Sequence, residues 1–287
     1  MRPALPRSLR LFPCSCGCSL VSSCSCLVAV APVEAVACVL RALEHSATPE
    51  HQPYTPEVPK DMLIVTQVAP YADGPAGVHG VLGQASTALA QLAEGAGLDP
   101  VFVADVRDLS PQHLESAAVL SLFTIGETPF SPPQRQAIVA QWEAGHLGVM
   151  GVHSATDACH TWPGYGDIIG ARFDGHPWTQ DFTIAVDDRD HPATAHLGDS
   201  WDWRDEIYLF RALRPDAQVL LSLAPDQVDL SVPGGRIPEC GFPLAWCHQE
   251  KEGRTFYSAL GHFPGAWETP TYLRHLAGGL AWLRESA

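Results

Sequence analysis

The stretch Leu147–Asp157, LGVMGVHSATD, constrains this chain more than any other. Leu147 to Val152 is an apolar run of strand length that turns polar abruptly at His153, and a helix-like segment follows. The pattern reads as a strand–turn–helix elbow. Small residues flank the presented side chain on both sides, as an elbow requires, because backbone segments approach closely there. The presented residue is His153, not Ser or Cys. Ligands of open α/β sheets sit beyond the carboxyl ends of the strands, so His153 should project into whatever pocket the protein has. A solitary histidine at a strand end is as readily a structural residue, so its meaning depends on its partners.

Elements on either side set the fold class. Leu63–Val68 reads as a buried strand, Pro70–Gly80 as a Gly/Pro-rich loop, and Leu82–Ala96 as a helix with Leu82, Ala85, Leu89, Leu92 and Ala96 on one face. Strands follow at Val101–Val103 and Ala117–Thr124. Ser131-Pro132 then opens a helix with an N-cap and a proline at its first position, and Ile138, Val139 and Trp142 form its buried face. The elbow strand is fourth. Strands alternating with helices imply right-handed crossovers and a parallel sheet. The pattern then changes to five strands with little helix between them, at Phe182–Val186, Glu206–Phe210, Val219–Leu223, Leu244–Cys247 and Thr255–Leu260. Thr269-Pro270 opens a closing helix striped by Leu273, Leu276, Leu280 and Leu283.

The first 61 residues differ. Six of the nine cysteines crowd into Cys14–Cys38, behind Arg2, Arg7 and Arg10. A basic start suits a secretory signal, but Pro13, Gly17 and the Cys/Ser content break the apolar middle that such a signal needs. The segment is expected to be a disordered or spurious extension, and residues 62–287 a single domain. Sparse cysteines in that domain fit a reducing compartment, so a cytoplasmic location is expected, with secretion through the N-terminal segment left open. Thirty-two acids against seventeen bases, a net charge of −15, argue against a nucleic-acid partner. No apolar run reaches the ~20 residues of a membrane span.

Polar residues recur at predicted strand ends and loops: His153 and Asp157, Asp174, His176 and Trp178, Asp205 and Glu206, Trp246 and His248, and His262. Histidines and carboxylates projecting from several strand ends into one crevice are what an acid–base site requires. The stretches Gly151–Asp157, Trp162–Tyr165, Asp174–Pro177, Asp190–Pro192, Asp205–Tyr208, Ala245–His248 and Gly261-His262, taken in this order, resemble the ThuA-like (trehalose utilisation) family over roughly residues 62–285. The resemblance implies a class I glutamine amidotransferase-like fold, a flavodoxin-like, mainly parallel sheet with helices on both faces and extra strands in the C-terminal half. It places His153 where amidotransferases carry their nucleophilic cysteine, and His262 near their catalytic histidine. Acyl transfer from glutamine needs a thiolate at the elbow, so glutaminase activity is not expected here.

These readings lead to an enzyme of carbohydrate metabolism acting on a disaccharide or keto-sugar. His153 and His262 are its expected acid–base groups and Glu206 their carboxylate partner. Asp157, His176, Asp205 and His248 are the expected hydroxyl-binding residues, and Trp178 and Trp246 the expected walls. One rival is a non-catalytic sugar-binding or regulatory module. Another is a metal-dependent hydrolase or lyase with a divalent ion on His153, His176, Glu206 and His262, although no HxH or HExxH spacing supports it. An oligomer is compatible with the sequence. The central geometric expectation is that His153, His176, Glu206 and His262 share one pocket, with His153 and His262 within ~12 Å of each other so that both can reach one sugar ring. Glu206 should raise the pKa of the nearest histidine, against the opposite pull of burial.

Overall fold

The computed structural model describes residues 59–285 apart from 76 and 78, so the expectations for the N-terminal extension lie outside the described residues. The chain alternates at first, through β1 (Asp61–Val65), α1 (Leu82–Gly95), β2 (Asp99–Val103), α2 (Pro111–Ser116), β3 (Ala117–Leu122), α3 (Pro132–Glu143), β4 (Gly148–Val152) and α4 (Pro163–Ile169). It continues as β5 (Arg172–Phe173), β6 (Trp178–Val186), β7 (Ser200–Ile207), β8 (Phe210–Arg211), β9 (Gln218–Ser222), β10 (Pro243–Glu250), β11 (Gly253–Ser258) and α5 (Pro270–Leu283). Among the described residues no helix is long and apolar enough to cross a membrane.

Nine strands form one sheet in the order β2-β1-β3-β4-β11-β10-β9-β6-β7. Pairings from β2 through β11 are parallel, and those from β11 through β7 are antiparallel. Side chains alternate across a strand, so each buried strand feeds two cores. Met62, Ile64, Val119, Met150 and Val152 enter one apolar cluster with α1 and α5. Leu63, Val65, Leu120, Leu122 and Val149 enter the other, with α2, α3 and α4. Helices therefore cover both faces, and this double burial explains why β1, β3 and β4 read as continuous apolar runs.

Local chemistry places the boundaries. At the start of α3, the Gln134 side chain accepts the Ser131 backbone N–H at 2.7 Å, which satisfies one of the orphan donors of the helix start. α4 ends at Gly170, whose φ of +97° closes a helix without strain only for a residue lacking Cβ. Helices α2 and α4 are too short to show a helical period, and the sequence reading omits both. The expected strand Glu206–Phe210 is instead the end of β7, a break, and β8. The break occurs because the chain changes partner. Leu209 N–H donates to Gly175 O at 2.7 Å and Asp174 N–H to Leu209 O at 2.8 Å.

The site depends on strand direction. Each antiparallel pairing reverses direction, so β9 and β7 run the same way as β4 and β11. The carboxyl ends of β4, β11 and β7 therefore lie at one edge. In a flat sheet the five spacings between β4 and β7 would separate them by roughly 24 Å. The β6–β7 hairpin closes that gap. β6 joins β9 only through Ala185 and Val186, while Trp178 through Ala185 pair with β7. Held at one end, the ribbon arches back and delivers the carboxyl end of β7 to the parallel half of the sheet.

Candidate functional site

At the end of β4 the backbone turns sharply, and His153 has a φ of +48°, a conformation that residues with a Cβ rarely adopt. The chain then makes a single 3₁₀ turn, His153–Asp157, rather than a longer helix. Gly151 is required two residues before the turn, since a Cβ there would lie 2.3 Å from Ile169 Cδ1 and 2.8 Å from Tyr257 Cδ2. Three hydrogen bonds hold the elbow. Tyr257 Oη donates to His153 O at 2.5 Å, His153 Nδ1 donates to Ala259 O at 2.8 Å, and Tyr208 Oη donates to His153 Nε2 at 2.8 Å. The carbonyl acceptor at Nδ1 sets the tautomer and leaves the Nε2 lone pair facing the site.

Glu206, at the end of β7, meets this nitrogen. Glu206 Oε2 is 3.6 Å from His153 Nε2 and 3.3 Å from His262 Nδ1, and Glu206 Oε1 is 3.6 Å from His176 Nδ1. His262 Nδ1 also lies 3.3 Å from His153 Nε2, far inside the expected ~12 Å. The structure thus brings together all four residues expected to share a pocket. Their exposures form a gradient: the His153 side chain is 0% exposed, Glu206 10%, His262 28% and His176 47%. His153 is the floor of the site and His176 its mouth.

Asp205, adjacent to Glu206, points into the protein rather than toward the mouth. Its carboxylate accepts N–H groups from Gly261 at 2.8 Å, His262 at 3.2 Å, Glu206 at 2.9 Å and the Trp203 indole at 3.0 Å. It ties the ribbon to the loop after β11. Gly261 has a φ of +121°, and a Cβ there would lie 2.7 Å from Tyr272 Oη, so only glycine lets that loop present His262. Asp157 is buried on the flank, where it accepts Tyr71 Oη at 2.6 Å and pairs with His160 Nε2 at 3.0 Å.

Three expected site residues lie elsewhere. Trp246 is fully buried, stacks 4.1 Å from Tyr257 and donates to Ile169 O, so it is core and not a pocket wall. His248 is buried two residues on, with its Nε2 2.9 Å from Ile168 O. β10 is an interior strand, so its alternate side chains are covered by α4 on one face. Trp178 is buried against Phe242 and donates to Asp229 O, which removes it from the mouth. Conversely, the sequence reading omits His79. Its ring sits edge-on 5.0 Å from His153 and 5.7 Å from His262, and its Nδ1 is buried without a hydrogen-bond partner among the described residues. Its available signal is position: His79 lies just ahead of α1 in the loop leaving the carboxyl end of β1, the same edge.

Electrostatics divide the cluster. Burial pushes the Glu206 carboxyl up, but the His262 hydrogen bond and the positive charge beside it outweigh burial and hold the group below the usual carboxylate range. The same hydrogen bond raises the pKa of His262, as expected of the nearest histidine. Burial wins at His153, pulling it down to about 3, so the floor stays neutral beneath a carboxylate. Burial and His262 lower His79. At Asp205 burial pushes the pKa up, opposed by the four N–H donors. Burial makes Cys159 and Cys247 poor nucleophiles, pushing their thiols up to about 12.

The sequence profile of the ThuA family, described as trehalose utilisation, matches residues 72–283. No curated protein matches the chain. Among solved structures, a ThuA-like protein of Bacteroides uniformis superposes with a TM-score of 0.62 at 23% identity, covering 81% of this chain and 94% of that one. A ThuA-like protein of Parabacteroides merdae gives a TM-score of 0.62 at 17% identity, covering 78% and 90%. At these identities the likeness speaks to the fold.

Proposed function

Because the chain belongs to the ThuA family of trehalose utilisation, we propose that it is an enzyme of disaccharide metabolism that moves protons on a sugar, in particular an oxidised (keto) sugar, at the Glu206 cluster. One observation carries the reading: a single carboxylate lies within 3.6 Å of three imidazoles, at a sheet edge where exposure rises from His153 to His176. The hydrogen beside a sugar carbonyl is acidic enough to be moved between a carboxylate and an imidazole, which general acid–base catalysis requires at hydrogen-bond distance. Glu206 and His262 form that pair. His153 packs beneath Glu206 and does not itself reach the sugar. His176 contacts a hydroxyl at the mouth, and Asp157, with Tyr71 and His160 on it, holds hydroxyls at the flank.

The family name supports a disaccharide-linked role. The elbow supports the exclusion of glutamine chemistry, since His153 occupies the place of a thiolate and, among the described residues, no exposed cysteine lies beside it. The test is a thermal-stabilisation screen of oxidised and unoxidised disaccharides, followed by turnover assays on those that raise the melting midpoint. The expected result is that a 3-keto-disaccharide stabilises the protein and is converted, and that Glu206→Gln removes conversion at least a hundredfold while the protein stays folded. Binding without conversion, unchanged in Glu206→Gln, would make the protein a sugar-binding module.

A further inference from the structure

We infer that the cluster takes one divalent transition-metal ion of the zinc(II) or cobalt(II) kind, held by His153 Nε2, His262 Nδ1 and Glu206 Oε2, with His79 as fourth ligand. The inference rests on the site and substrate class proposed above and changes only which group does the work there.

Spacing is the first argument. An ion with bonds of ~2.0–2.1 Å to nitrogen and oxygen in a tetrahedral array holds its ligand atoms roughly 3.3–3.4 Å apart. The three edges of the proposed triangle are 3.3 Å (His153 Nε2 to His262 Nδ1), 3.3 Å (His262 Nδ1 to Glu206 Oε2) and 3.6 Å (His153 Nε2 to Glu206 Oε2). Nitrogens of His79, His153 and His262 all lie within 4.8 Å of one another, a group that does not include Glu206, so His79 fills the fourth corner by moving toward the triangle.

Orientation is the second. Metal-bound histidines donate their other ring N–H to a carbonyl or carboxylate, which aims the lone pair. His153 Nδ1 does this with Ala259 O. The Tyr208 hydroxyl that now occupies His153 Nε2 is the group the ion displaces. The third argument is an unmet need: among the described residues His79 keeps a buried nitrogen with no partner, which costs free energy that a ligand would recover. Three imidazoles and one carboxylate select borderline ions such as zinc or cobalt over magnesium or calcium. His176 is not a ligand, since it reaches the other carboxylate oxygen from the mouth. An ion here would polarise a sugar carbonyl, a role that imidazoles alone fill weakly.

The experiment uses the untagged full chain, stripped with EDTA and titrated with Co²⁺. The expected result is one equivalent with visible bands of four-coordinate intensity, distinct from the thiolate charge-transfer bands that any binding by the N-terminal cysteines would give. His262→Ala and His79→Ala should each weaken that equivalent at least tenfold with unchanged circular dichroism, and His176→Ala should leave it within twofold. No saturable visible band, or a band that neither His262→Ala nor His79→Ala changes, overturns the inference. Disaccharide stabilisation persisting in EDTA without Co²⁺ binding removes the ion and leaves the enzyme reading intact. Co²⁺ binding without any disaccharide response does the reverse.

Discussion

The two halves of the sheet supply different parts of one site. In the parallel half the strands inside the exposed edge strand β2, namely β1, β3, β4 and β11, are buried on both faces, and the half ends in fixed turns: the elbow at His153 with φ +48° and the loop at Gly261 with φ +121°. The antiparallel half supplies Glu206 and Tyr208 from the end of a hairpin attached to the sheet through Ala185 and Val186. His153 and His262 therefore come from rigid turns, and Glu206, with His176 just ahead of β6, from an arm. Such an arm needs a second attachment near its working end, and Asp205 provides it through four N–H groups, two of them on the Gly261-His262 loop.

Breaking that attachment should have the largest effect. Asp205→Ala leaves buried donors unpaired and is expected to cost about 3 kcal/mol or more, with loss of disaccharide stabilisation. Asp205→Asn, which keeps an acceptor, should cost less than half of that in a urea melt. Equal losses from the two would mean that the ribbon is held by its apolar contacts alone. Attacking the rigid side should do less. Gly151→Ala forces Ile169 and Tyr257 to move and should cost about 1–3 kcal/mol, the usual range for overpacking. A Gly151→Ala melt indistinguishable from that of the unmodified chain would show that the elbow is softer than its contacts indicate.

Acid should weaken both halves together. Burial pulls His248, on β10, and His275, on α5, down to about 4. Both stay neutral in the fold but charge in the unfolded chain below about 6.5, so the unfolded state binds more protons between about pH 6.5 and 4. Stability is therefore full above that window and falls through it as pH drops, by at most about 3 kcal/mol per histidine. Melts at stepped pH that stay level down to pH 4 would contradict this. The smallest stability effect belongs to His176→Ala at the mouth, within about 0.5 kcal/mol, although conversion of the sugar should fall.

The parallel half was legible in the sequence because double burial writes itself as apolar runs, and His153 was legible because an elbow demands small neighbours. Glu206 and His262 were named from strand ends, but the hairpin that brings Glu206 across the sheet left no pattern, since it depends on where β6 stops pairing with β9. Trp246 and His248 misled for a related reason. An interior strand carries polar side chains when a carbonyl waits for them, here Ile169 O and Ile168 O, and no local signal reports that partner. His79 was hidden in a Gly/Pro-rich loop whose periodicity carries no information.

A double-mutant cycle tests most directly whether arm and turns make one site. Dissociation constants for a 3-keto-disaccharide would be measured for the unmodified chain, Glu206→Gln, His262→Ala and the double variant. Groups 3.3 Å apart that grip one ligand should be non-additive by about 0.5–3 kcal/mol. Strict additivity, with each substitution weakening binding independently, would contradict the shared site.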